Sequence, residues 1–148
     1  MVEVFVATPT IADKASSPLD GHLLPGTYGN SNAGIGVTLS ERFGLAICDV
    51  CAWPDEVDAV RGALPKTATA FEYAPARWTV LSEDPQTANS LSNTLGDQAT
   101  VVDLSHGRTV ISMSGPKVEW VLAKLFAIDF HINTFKPQVG LATAHHEI

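Results

Sequence analysis

RWTVLSEDPQTANSLSNTLGDQATVVDLSHGRTVISMSGPKVEWVLAKLFAI, residues 77–128, carries the alternation that decides the fold. It opens with RWTVLS, an apolar run of strand length. Asp84 suits an N-cap for a helix opening at Pro85, with Ala88, Leu91 and Leu95 on one face and Gly96 just past its end. ATVVDLSHGRTVISMSGP then predicts two short strands around a turn at Ser105, His106 and Gly107. Gly115 and Pro116 lead into a second helix. There Val118, Val121, Leu122 and Leu125 recur at i, i+3, i+4 and i+7, and the helix is expected to stop near Ile128. A loop containing Pro137 leads to a final expected strand, VGLATAHHEI. From Arg77 the order is β-α-β-β-α-β, the ferredoxin-like split arrangement. The expected class is α+β, with a mainly antiparallel sheet covered by helices on one face.

Upstream, GLAICDVCAW reads as a strand closed by Pro54. Pro54, Asp55 and Glu56 suit the first turn of a helix, where the peptide dipole favours acids. Val57, Val60 and Leu64 give that helix an apolar side, and Pro65 ends it. Residues 43–64 are therefore expected to add a β-α unit before the ferredoxin-like one. The run from Ser16 to Gly36 differs, with Gly21, Gly26, Gly29, Gly34, Gly36, Pro18 and Pro25 and no sustained period. Residues 1–36 are read as an extended N-terminal arm and 37–148 as a single α+β domain. An arm of that length hints at a partner. No repeat of solenoid type is visible.

The 148 residues have one domain's length, and 45% of them are hydrophobic, enough for a self-sufficient core. Nine basic residues against 16 acidic give a net charge of −7. That balance argues against nucleic acid or an anionic membrane as the main partner, because both need clustered Lys and Arg. No stretch has the length of a transmembrane helix, and MVEVFVATPTIADK lacks the basic start of a secretory signal. Two cysteines make no disulfide framework. A cytoplasmic location is expected.

Four groupings have residue types that can carry chemistry. Cys48 and Cys51 form a CxxC, but on a strand their odd spacing sends the thiols to opposite faces. No second pair completes a zinc site, so they read as core or half-buried cysteines. His145 and His146, beside Glu147, cannot both ligate one metal without a kink in the strand; a site shared with His131 or His22 is the alternative, and polar strand-end residues are the expected reading. Asp103, Ser105 and His106 lie within four positions, too close to align nucleophile, base and acid. There is no GxSxG elbow, and Asp103 and Ser105 are expected to bond turn amides instead. The glycines between Gly26 and Gly36 match no phosphate-binding loop. Of Trp53, Trp78 and Trp120, the last falls off its helical stripe and suits an interface. No residue is assigned to catalysis, cofactor binding or a metal, and a binding or subunit role is favoured.

DLSHGRTVISMSGPKVEWVLAKLFAIDFHINTF, residues 103–135, resembles the gamma subunit of heterotetrameric sarcosine oxidase in its ordered blocks, VxDLSHGRxVxxxSGP, an apolar helix and xDxHxxxF. GVTLSERFGLAICDVCAWP and ARWTVLSED resemble that family's early and middle strands, so the likeness runs from about Ser17 onward. The resemblance implies a fold like the folate-binding domain of glycine-cleavage aminomethyltransferases. It implies a small, non-catalytic structural subunit beside alpha and beta subunits that oxidatively demethylate sarcosine to glycine. FAD, FMN, NAD and tetrahydrofolate would be held by those other subunits, with no cofactor in this chain. The equivalent subunit of an N-methylglutamate dehydrogenase-type complex is an alternative. So is a freestanding tetrahydrofolate-binding, aminomethyl-transfer module, for which Asp49, Asp103 and Asp129 are the candidate carboxylates. Members of the family usually continue into a further strand and a Trp-containing helix, so a C-terminal packing element is expected to be lacking after VGLATAHHEI.

Overall fold

In the computed structural model, which describes residues 17, 19, 26–28, 34, 36–137 and 139–143, two antiparallel sheets share the chain. Strands β1 (Gly26–Tyr28), β2 (Val37–Glu41) and β7 (Ile111–Ser114) form the smaller sheet in the order β1-β2-β7. Strands β3 (Ala46–Ala52), β4 (Thr69–Ala74), β5 (Arg77–Ser82) and β6 (Ala99–Asp103) form the larger one in the order β4-β5-β3-β6. Helix α1 (Val57–Ala63) joins β3 to β4, α2 (Thr87–Leu95) joins β5 to β6, and α3 (Val118–Leu125) follows β7.

The β-α-β-β-α-β unit is present, but it begins at β3 rather than at Arg77 and ends at Asp103. The β-α segment expected as an addition is the first half of the unit itself. The omitted piece is β4, TAFEYA, which pairs along β5 across the turn at Pro75 and Ala76. Its alanines and glutamate give a weak strand signal, yet Phe71 and Tyr73 keep the alternation. Strands β6 and β7 do not pair with one another. β6 is an edge of the larger sheet, and β7 crosses to the smaller sheet beside β2. The terminal strand expected over VGLATAHHEI is absent where it is described, at residues 139–143, and residues 144–148 lie outside the described residues. Within the stretch read as an arm, Gly26–Tyr28 is extended and pairs with β2, and the Ser17 hydroxyl donates to Glu41 at 2.6 Å.

The core lies between the larger sheet and its two crossover helices. A split β-α-β places both crossovers on one face, so every second residue of the central strand turns inward. Cys48, Val50 and Ala52 of β3 meet Trp78 and Val80 of β5, Val60 of α1, and Leu91 and Leu95 of α2. The helices start and stop where their residues require. Pro54 opens a 3-10 turn that runs into α1, and Pro65 follows one residue after its C-cap at Leu64. Asp84 accepts the Gln86 N–H at 2.9 Å, and α2 begins at Thr87. Gly96, at φ 50°, ends α2 with its N–H on the Ser92 carbonyl.

Helix α3 occupies the expected place but buries no residue, and its stripe of Val118, Val121 and Leu122 is only half covered. Among the described residues no side chain after Leu95 is buried. The segment is held locally. Phe126 and Phe130 stack at 6.4 Å between centroids, and Phe130 and Phe135 at 5.5 Å.

Gly115, between β7 and α3, has φ +125°, and a Cβ there would stand 2.6 Å from the Gly36 carbonyl oxygen. That same carbonyl accepts the Lys117 N–H at 3.1 Å, so the approach cannot relax without losing a bond. Gly62, inside α1, has open space at the same position. Gly115→Ala is therefore expected to lower stability by at least about 1–3 kcal/mol. Gly62→Ala should raise it by about 0.5–1 kcal/mol. Urea unfolding of the two variants beside the parent checks both signs.

Candidate functional site

The chain passes between its two sheets twice, and both passages run side by side. It leaves the smaller sheet through residues 42–45, where Gly44 turns at φ +80°, and returns through residues 104–110. Arg42 N–H donates to the Val110 carbonyl at 2.8 Å, and Leu104 N–H to the Ile47 carbonyl at 2.8 Å, which locks the two passages together. Between them opens a cleft of about 280 Å³, lined by residues 41–47, Pro85, Asp103, Ser105, His106 and residues 108–110. The volume is near the lower end for small-molecule sites.

Ser105 organises one wall. Its hydroxyl donates to Asp103 Oδ1 at 2.5 Å and accepts the backbone N–H of buried Ile47 at 3.0 Å. Its own N–H reaches Asp103 Oδ1 at 2.9 Å. The Ser105 hydroxyl and then its amide hold the Asp103 carboxyl below the usual carboxylate range, and His106 adds in the same direction. The expectation that Asp103 bonds a turn amide matches the geometry, whereas the Ser105 hydroxyl takes a strand amide, that of Ile47 in β3. The hydroxyl is committed to a carboxylate and an amide, a clamp between β3 and the loop.

The two cysteines point to opposite faces as their spacing requires. Cys48 lies in the core, where burial and then Asp103 push its thiol pKa up, the reverse of an activated nucleophile. Cys51 is half-buried on the outer face with Asp49. There Tyr73 donates its hydroxyl to Asp49 Oδ1 at 2.6 Å, Arg77 bonds Asp49 Oδ2 at 3.2 Å, and the Arg77 guanidinium stands over the Tyr73 ring at 5.8 Å. The bond to Asp49 raises the Tyr73 pKa. Asp129 accepts from the His131 amide and the Thr134 hydroxyl, which hold its carboxyl low.

The three carboxylates considered for a pterin are therefore not gathered. The strand register puts Asp49 and Asp103 on opposite faces of the larger sheet, Asp129 belongs to the loop after α3, and each is engaged by neighbouring groups. They do not fit a folate site. His22, His145, His146 and Glu147 lie outside the described residues, and His131 has its Nδ1 3.3 Å from the Asn133 amide. Among the described residues no three His, Cys, Asp or Glu side chains are grouped to hold a metal. No helix among them is long and apolar enough to cross a membrane.

The tryptophans divide. Trp78 is 3% exposed in the core, whereas Trp53 and Trp120 are largely open. Trp120 is 62% exposed on α3, with the Lys124 ammonium 4.4 Å from its ring centre. Leu125, Ile132, Val139 and Leu141 add exposed apolar surface in the same third of the chain. Trp120 is legible from its place off the helical stripe, whereas Arg42, Phe43 and Arg108 form no chemical motif. Arg108 sits inside the DLSHGR block, and its signal was scarcity, because it is one of four arginines in the chain.

No known family profile matches the chain. It is 31% identical over 91 residues to "Sarcosine oxidase subunit gamma" of Corynebacterium sp. (strain P-1), a match covering 61% of this chain and 45% of that protein. The chain thus spans less than half the length of the curated relative it matches. Among solved structures it is similar to a chain of heterotetrameric sarcosine oxidase from Corynebacterium sp. U-96 in complex with pyrrole 2-carboxylate. The TM-score is 0.57 with 24% identity, over 67% of this chain and 60% of the other. That structural likeness establishes a shared α+β fold containing the β-α-β-β-α-β unit.

Removing the Ser105 hydroxyl leaves the Ile47 amide without its partner and Asp103 with the Ser105 amide but not the hydroxyl. Ser105→Ala is expected to cost about 1–3 kcal/mol in chemical unfolding. It should also move the Asp103 carboxyl up toward the ordinary range in a carbon-detected NMR titration. The Asp103 pKa is depressed in the folded chain, so its stabilising contribution is complete above about pH 4 and fades as the pH falls further. The stability gap between the parent and Asp103→Asn should narrow on that acid side and stay constant above it.

Proposed function

We propose that this chain is the small, structural, gamma-type subunit of a sarcosine oxidase-like flavoenzyme that oxidatively demethylates sarcosine to glycine. The alpha- and beta-type subunits would hold the flavins, the nicotinamide and the folate. The sequence likeness to a sarcosine oxidase gamma subunit over 91 residues carries the reading. The ordered blocks in residues 103–135 fit it, and so does the common fold. Two features of the surface agree in kind. Residues 103–135 bury no side chain of their own. They also present Trp120 and Leu125 to solvent, the kind of apolar and aromatic groups that anchor permanent interfaces.

The contribution expected of such a chain is contact area and shape. Ser105 is already committed and the Cys48 thiol is raised, so neither offers an activated nucleophile. A freestanding aminomethyl-transfer module gains nothing from the dispersed positions of Asp49, Asp103 and Asp129.

Co-expression with the alpha and beta chains of such an enzyme tests the proposal. The expected result is copurification in constant ratio, with the flavoenzyme melting earlier when this chain is omitted. A flavoenzyme that assembles and melts identically without it would refute the reading. Trp120→Asp should weaken incorporation at least about tenfold, while the isolated chain keeps its melting midpoint because Trp120 supports no core.

A further inference from the structure

The cleft between the two inter-sheet passages holds a guanidinium that pairs with no carboxylate among the described residues. The chain has four arginines, and two of them, Arg42 and Arg108, line this one cleft. Arg61 bonds Asp58 at 2.7 Å and Glu72 at 3.1 Å, and Arg77 bonds Asp49. Arg42 reaches Glu83 at 3.2 Å across open solvent, an exposed pairing of little worth that a better anion can replace. Arg108 has no carboxylate partner among the described residues, although the chain carries a net charge of −7.

The acids of the cleft are meanwhile engaged by donors of the chain. Glu41 takes the Ser17 hydroxyl on both oxygens at 2.6 Å, and Asp103 takes the hydroxyl and amide of Ser105 on one oxygen. Arg108 and His106 remain as donors of the lining, to which Arg42 also belongs. The lining also carries apolar groups. Leu45, Val110 and Pro85 are among them, and the Phe43 ring stands 58% exposed. A guanidinium fork recognises a carboxylate by two parallel bonds, whereas the apolar groups reward a hydrophobic body.

The geometry points to a binding site in this cleft for a small organic carboxylate with a planar or aliphatic body, its anionic end on Arg108 and its body against Phe43. The assignment does not rest on the proposed subunit role, because it is read from the lining of the cleft alone.

A ¹⁵N–¹H NMR titration of the full chain with benzoate, benzyl alcohol and inorganic phosphate tests it. Benzoate is expected to give saturable shifts confined to the amides of residues 42–47 and 104–110. Benzyl alcohol, which lacks the charge, should bind at least about tenfold more weakly, and so should benzoate to Arg108→Ala. Arg108→Lys should recover part of the loss. Phe43→Ser should weaken benzoate and leave phosphate unchanged. Absence of saturation would overturn the assignment. Equal affinity of Arg108→Ala and parent would do so too, as would equal affinity of benzyl alcohol and benzoate. Phosphate binding as tight as benzoate would remove the apolar body from the assignment and overturn that class of ligand. Arg108 and Phe43 are exposed, and unchanged melting of the variants ties any lost affinity to the cleft.

Discussion

The burial of one strand on its helix-facing side is the constraint from which the remainder follows. β3 is the strand of the larger sheet with β5 on one edge and β6 on the other, and its residues Cys48, Val50 and Ala52 form the floor of the core. Their alternation sets the register of both neighbours, because a slip of one residue would turn Asp49 and Cys51 inward. It also sets the depth at which Leu91 and Leu95 of α2 and Val60 of α1 come to rest. With those contacts made, β3 holds the start of the loop after β6 through Ile47, whose amide and carbonyl bond Ser105 and Leu104. The cleft exists because that loop and the turn from β2 must converge at the end of this strand.

The same geometry explains why the chain is unevenly packed. Both crossovers of a split β-α-β lie on one face, so the other face of the larger sheet receives no helix from the unit. Its residues there are a mixture: Asp49, Tyr73 and Arg77 joined in a polar cluster, with Phe71 beneath the close approach of Gly140 and Val102 exposed. α3 lies beyond the unit, with half-covered valines and an open Trp120. A chain built this way has one well-packed core and a second region whose apolar groups are satisfied only partly from within. Under the proposed subunit role, the remaining contacts of those groups would come from partners.

The charged groups follow local rules. Asp49, Asp103 and Asp129 each accept from nearby donors, and their carboxylates stabilise turns or strand edges. Arg108 departs from that pattern. It stands without a carboxylate partner among the described residues in a concave site, whereas the other three arginines are each bonded to an acid.

Local chemistry made much of the fold legible. RWTVLS is β5 to the residue, and Leu91, Leu95 and Gly96 lie where an amphipathic helix and its stop put them. Pro54 and Pro65 bracket the first helical segment, and the odd spacing of Cys48 and Cys51 separates the thiols. These features depend on neighbours a few residues away, so periodicity and backbone preference suffice to reveal them. Which strands pair is a long-range matter. TAFEYA becomes a strand because β5 lies beside it, and β7 leaves β6 for β2 through pairs that stand far apart in the chain, from Glu41 with Ile111 to Thr38 with Ser114. The frame of the β-α-β-β-α-β unit, the meeting of residues 41–47 with 103–110, and the isolation of Arg108 all follow from that pairing. A one-dimensional pattern records the apolar period of each segment, but only the folded chain decides which segments share an edge.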